Sequence, residues 1–271
     1  SLDHFILAGL EKQGLTPAPQ ADRTTLIRRV TFALTGLPPT PEQIDTFLKD
    51  RSNNAYEKLI DRLLESPAYG ERWGRFWLDV VRYADSNGLD ENIAHGNAWR
   101  YRDYVIKAFN DDMPYDQFIT EQIAGDLLEN SGDKQTTNRR LVATGFLVLG
   151  PKVLAEGDEE KLAMDIIDEQ IDTIGRALMG MTIGCARCHD HKFDPISTED
   201  YYALASIFKS THTMESYKRI AKWNENEVFT PESKALFDDF NVRIEKLQQQ
   251  IKEATDKANK ELLTRLKTDS L

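Results

Sequence analysis

Apolar residues recur at three- and four-residue spacing along almost the whole chain, and that period leaves room for little besides α-helix. Leu2, Phe5, Ile6 and Leu10 form one such stripe, closed by Gly14. Asp22 stands as an N-cap before a helix over 25–34, and Gly36-Leu37-Pro38-Pro39-Thr40 ends it. Thr40-Pro41-Glu42 opens the next helix, a capping residue followed by proline in the first turn. Further helices are expected over 55–64, 68–83, 99–109, 115–128, 138–147, 159–179 and 198–208. Segments alternating with period two are few and β-branched runs are short, so no convincing strand is expected. The fold class is therefore all-α, an irregular multi-helix assembly.

The last stretch differs. From Phe240, apolar residues fall at Ile244, Leu247, Ile251, Ala254 and Ala258, with charge between them, before Leu262 and Leu266 shift the register. This predicts a long C-terminal amphipathic helix, an arm on the main body or an interdomain link in preference to a dimerisation motif, because the repeat is short and contains alanine. Two parts follow: a helical body over 1–217, and a linker with the long helix over 218–271.

Composition narrows the function. A chain of 271 residues, 40% hydrophobic and 29% charged, buries a substantial core. Its longest apolar run, 141–150, is far too short to span a bilayer. A net charge of −11 disfavours a nucleic-acid partner, whose phosphates need a basic face. No Ser/His/Asp triad, phosphate-binding glycine loop or zinc-protease motif is legible. No cleavable leader is legible either, and the expectation is a piece of a longer secreted protein.

The chemistry concentrates in one pentapeptide. The two cysteines of the chain both lie in Cys185-Ala186-Arg187-Cys188-His189. Thiols at this spacing, followed at once by an imidazole, suit covalent attachment of a c-type haem: Cys185 and Cys188 bond the vinyl groups, and His189 is the proximal iron ligand. Zinc needs four ligands and would have to recruit His95 or His212. A redox dithiol normally sits where a strand meets a helix, and a structural thiol pair leaves the adjacent histidine unexplained.

Met214, beyond the helix over 198–208, is the expected sixth ligand, with His212 as the other candidate in that loop. Met179 and Met181 are expected to pack beside the haem. His191 is tethered too closely to the proximal ligand to cross faces and is expected to hydrogen-bond Asp194. Arg72, Arg75, Arg82, Arg187 and Lys192 are candidate partners for propionates, and Trp73 and Trp77 for the core or the haem wall. The segment Asp85–Asn92 gathers oxygens that calcium accepts, but its glycine is fourth, not sixth as in an EF-hand loop.

The chain resembles the cytochrome-like domain of unknown function abundant in secreted planctomycete proteins. The resemblance is carried by Leu26-Ile27-Arg28-Arg29-Val30, Thr35-Gly36-Leu37-Pro38-Pro39-Thr40, Tyr69-Gly70-Glu71-Arg72-Trp73, Trp77-Leu78-Asp79-Val80-Val81-Arg82-Tyr83-Ala84-Asp85-Ser86-Asn87-Gly88 and Cys188-His189-Asp190-His191-Lys192-Phe193-Asp194-Pro195. It runs from about Leu2 to about Tyr217 and implies an extracytoplasmic haem module of a multidomain protein, with neighbouring domains or a redox partner and no established reaction. Electron transfer through one covalent haem is the expected function. The alternatives are a haem enzyme, peroxidase-like or coupled to a neighbouring catalytic domain, and a zinc-binding or interaction module.

Overall fold

The helical period is realised in a computed structural model that describes residues 2–89, 91–129, 132–218 and 220–268, the side chains of 231 and 265–268 excepted. Among the described residues run α1 (Leu2–Lys12), α2 (Arg23–Thr35), α3 (Pro41–Lys49), α4 (Ala55–Leu64), α5 (Pro67–Val80), α6 (Ala98–Asn110), α7 (Tyr115–Ala124), α8 (Lys134–Ala143), α9 (Glu159–Ile174), α10 (Thr198–Lys209) and α11 (Pro231–Thr268). The fold is all-α, and no described helix is long and apolar enough to cross a membrane.

Local chemistry sets several starts. Asp22 accepts from the backbone N–H groups of Thr24 and Thr25, Asp158 from those of Glu160 and Lys161, and reciprocal capping boxes join Thr40 with Gln43 and Ser197 with Asp200. Ends depart from the expected pattern where tertiary contacts intervene. The helix expected over 68–83 stops at Val80, because Arg82 takes a left-handed φ of 55°. The helix expected over 159–179 is α-helical only to Ile174 and continues as a π turn, Gly175–Met179, which Gly180 closes with φ +64°. Among the described residues a short sheet that the periodicity did not predict pairs β1 (Met214–Ser216) antiparallel with β2 (Lys222–Trp223).

Three apolar clusters hold these elements. Ile27, Phe47, Ala55, Leu59 and Leu63 join α2, α3 and α4. The main core gathers Tyr101, Val105, Phe118, Phe146, Ile171 and Tyr201 from α6 through α10. Leu154, Leu162, Ile166, Met214 and Ala221 make the third, against β1. The helices α5 and α6 cross closely because α5 presents glycine: a Cβ on Gly70 would overlap the Ile106 carbonyl oxygen and the Asn110 side chain, which itself accepts the Gly70 N–H at 2.8 Å. Gly70→Ala is therefore expected to lower stability by about 3 kcal/mol, the upper end for overpacking, since the obstacle includes backbone; the urea midpoint checks it.

Candidate functional site: the Cys185–His189 turn

The pentapeptide begins on a 3₁₀ turn, Ile183–Arg187, immediately after the chain doubles back from α9. Met181 donates its N–H to the Gly175 carbonyl, and a Cβ on Gly175 would press on the Met181 oxygen at 2.9 Å, so glycine permits the reversal. Ile183 and Ala186 are buried in the main core. With those side chains committed inward, both thiols face outward: Cys185 and Cys188 are exposed and not joined to each other.

Arg187 clamps the turn to α9. Its guanidinium bonds Asp165 at 2.9 Å and lies 3.3 Å from Asp168, which also accepts the Tyr201 hydroxyl at 2.6 Å. Burial opposes the Arg187 charge, but the Asp165 bond and the Asp168 charge outweigh it and hold its pKa above the ordinary value. Burial likewise works against the Asp165 carboxylate, yet bonds from Lys161 and Arg187 keep its pKa below the usual range. Tyr202 of α10 donates to the Arg187 carbonyl at 3.3 Å. The motif is thus held on both sides by packed helices.

The two histidines of the segment are in opposite situations. His189 is exposed, and its Nδ1 lies 2.8 Å from the Asp190 carbonyl, which can only accept. In the neutral ring this contact puts the proton on Nδ1 and leaves Nε2 as the acceptor, the arrangement a metal-binding imidazole takes. The His191 ring is nearly buried, and its Nδ1 accepts the Asp194 N–H at 2.9 Å and the Phe193 N–H at 3.3 Å. Its proton is then on Nε2, which donates to Thr182 Oγ1 at 3.0 Å. Both nitrogens of His191 have partners, and the expected Asp194 contact is present through its backbone N–H at 2.9 Å and its carboxylate, which lies 3.3 Å from Nδ1. Close to the motif in sequence, Met179 is 53% and Phe193 83% exposed, with Lys192 over the Phe193 ring.

A cleft of about 480 Å³ opens next to Cys185. Its charged groups come from three segments: Arg82 beyond α5, Lys152 from the connection before α9, and Asp165, Asp168, Glu169 and Asp172 along one face of α9 with Arg176 of the π turn that continues it. Arg82 bonds Glu169 and Thr173 and lies 3.8 Å from Asp172. Lys152 donates to Glu169 at 2.9 Å and to the Val148 carbonyl at 2.9 Å, while burial pushes its pKa down against the pull of Glu169. Arg176 bonds Asp172 at 2.7 Å. The cations lining the cleft are matched by carboxylates, so it offers an anion little unspent charge. These residues were not legible as a group, because three chain segments must fold before they meet.

The other sequence candidates lie elsewhere. Met214 is 3% exposed and packs in the third apolar cluster, so ligation by its thioether would require it to leave that cluster. His212 is exposed in the loop after α10. His95 sits edge-on to Trp223 at 5.8 Å, with its Nε2 buried and unbonded. Neither joins the cysteines: among the described residues no three His, Cys, Asp or Glu side chains converge on a metal-sized site. Of the arginines expected on one helix, Arg72 lies over Phe76 and Arg75 beside Asp79 on α5, and Arg82, beyond its end, lines the cleft. Lys192 lies over Phe193. Trp77 belongs to the core, stacking with Phe146 and donating to Gln122 at 2.9 Å, whereas Trp73 is at the surface against Phe76. In the segment 85–92, Asn87 is fully buried and spends its amide on Ile93, Lys152 and Glu91, while Ser86 bonds Asn92 at 2.9 Å. Asp90 lies outside the described residues.

His95 supplies a pH test. Burial first, and the Lys152 charge second, depress its pKa below 6.5, with Asp85 pulling the other way. The unfolded chain then binds the proton more readily than the folded one. Stability is therefore full above about pH 6.5 and falls as pH drops below it. Thermal unfolding midpoints are expected to decline over that range, and His95→Gln to flatten the decline.

Comparison with known proteins gives one match. The family described as PSCyt2, a protein of unknown function (DUF1549), matches residues 1–213. No curated protein and no solved structure matches.

Proposed function

The chain belongs to this family, and from that premise we propose that it carries one covalent haem c on Cys185, Cys188 and His189 and transfers electrons within a larger secreted protein. The observation that carries the reading is the placement of His189: Nδ1 lies 2.8 Å from the Asp190 carbonyl, and the exposed ring directly follows two exposed, unbridged thiols. The residues present fit the group. Two nucleophilic sulfurs stand on one turn, an exposed imidazole follows, and Met179 and Phe193 offer apolar surface for a macrocycle to cover. A haem bound there supplies a one-electron couple.

The chain's own part in this reading is positional. Ile183 and Ala186 anchor the turn from below, and Arg187, bonded to Asp165 and Asp168, holds it against α9. The thiols are thereby presented to solvent, where attachment occurs. Location outside the cytoplasm is part of the same proposal. Met214 serves as sixth ligand in it only by opening the third cluster. A sulfur-to-iron band in the near infrared of the ferric protein, lost in Met214→Leu, assigns the thioether to iron; its absence assigns it to packing.

The test is an intact mass and a pyridine haemochrome spectrum on protein made where haem-attachment machinery is present. One haem per chain, retained after acid denaturation, is expected. Protein of unmodified mass, with both thiols free under those conditions, would sink the proposal.

A further inference from the structure

α11 keeps an apolar seam in the open. Phe237, Phe240, Ile244, Leu247, Ile251 and Ala254 follow at alternating steps of three and four, the repeat of a helix that winds around another. No described side chain of α11 is buried, and Phe240, Leu247 and Ile251 are 60%, 57% and 67% exposed. A helix this long draws most of its stability from covering such a stripe; among the described residues Phe229 packs against Phe237 at 5.0 Å, and from Phe240 onward no seam residue is buried.

In place of the arm or interdomain link expected from the short, alanine-containing repeat, we propose that the cover is α11 of a second copy, packed antiparallel about a two-fold axis. The seam is graded in size, with phenylalanine at its N-terminal end and alanine toward its C-terminal end. Antiparallel pairing sets Phe237 opposite Ala254, Phe240 opposite Ile251, and Ile244 opposite Leu247 of the other copy, so the layers have similar volume. Parallel pairing would crowd phenylalanine against phenylalanine at one end and leave alanine facing alanine at the other.

Charge selects the same arrangement. Residues 231–271 hold eight acidic and eight basic side chains, so the whole net charge of −11 belongs to the body before α11. Parallel helices would bring two such bodies together at one end. Antiparallel helices part them by the overlap from 237 to 254, about 26 Å at 1.5 Å per residue, well beyond a Debye length of about 8 Å. The positions flanking the seam agree: in this register Arg243 faces Gln250 and Asn241 faces Gln248, whereas a slip of one heptad sets Arg243 against Lys257.

Sedimentation equilibrium of the full chain, from micromolar to millimolar, is expected to show a reversible species of twice 31.0 kDa. Ile244→Glu with Leu247→Glu places acid where the two copies meet, at positions not buried within one chain. That variant is expected to be monomeric across the range, with an unchanged far-ultraviolet helix signal. Small-angle scattering of the wild type is expected to show two bodies at opposite ends of a rod. A wild type that stays monomeric, a dimer that survives both glutamates, or bodies lying side by side would each overturn the proposal.

Discussion

Cys185→Ala combined with Cys188→Ala is expected to abolish covalent haem while leaving the fold intact. Both side chains are exposed, and the packing of their turn is done by Ile183 and Ala186. Surface substitutions of this kind change stability by about 0.5 kcal/mol or less. Haem content should therefore fall from one per chain to none, with the far-ultraviolet helix signal kept and the unfolding midpoint matching that of haem-free wild-type protein. His189→Ala separates the two roles within the motif: mass should still report attached haem, while the visible spectrum changes because Nε2 is gone. Haem that survives acid denaturation in the double alanine variant would place the attachment elsewhere.

The second large effect lies in the core. Glu121 on α7 is fully buried, and it accepts from Arg139 at 2.6 Å, from Gln117 at 2.9 Å and from the Tyr104 hydroxyl at 3.3 Å. Glu121→Ala leaves the guanidinium and the hydroxyl without their acceptor. Breaking a buried pair by removing one member costs about 3–5 kcal/mol. Arg139 is partly exposed, so water recovers some of this, and a loss near the lower figure is expected. Arg75, whose partner Asp79 lies 3.8 Å away at the surface, is the control: Arg75→Ala should cost less than about 1 kcal/mol. Urea unfolding with an unchanged m-value measures both. A Glu121→Ala loss no larger than the Arg75→Ala loss would show that the buried carboxylate contributes no more than a surface pair.

The starts of α2 and α3 were legible because capping is a contract between neighbours. By contrast, α8 begins at Lys134, four residues before the expected 138, on an Asp133 cap that the apolar period did not show, and α11 begins at Pro231, ahead of the seam read from Phe240. Asp22, Thr40, Asp158 and Ser197 each satisfy orphan N–H groups within three residues of themselves, and no distant contact is needed to place them. The ends at Val80 and Ile174 were not legible. Arg82 takes its left-handed backbone where its guanidinium reaches Glu169 and Thr173, far along the chain. The π turn after Ile174 accompanies a reversal that brings Met181 onto Gly175 and Ile183 into the core.

The same division runs through the candidate site. Sequence by itself determined the helical class, the long terminal helix and the grouping of two thiols with an imidazole, because all three are properties of spacing along one segment. Only the tertiary structure decided which imidazole is exposed. His189 and His191 are two residues apart and chemically identical, yet Thr182 takes up one ring and leaves the other. It also decided that Arg187 pairs with Asp165 and Asp168, that Arg82 and Lys152 meet Glu169 beside Cys185, and that Met214 packs with Leu154 and Ile166. Each of these joins segments well separated in sequence. Their proximity is set by which apolar faces bury together, and burial is a property of the assembled core that no local period encodes.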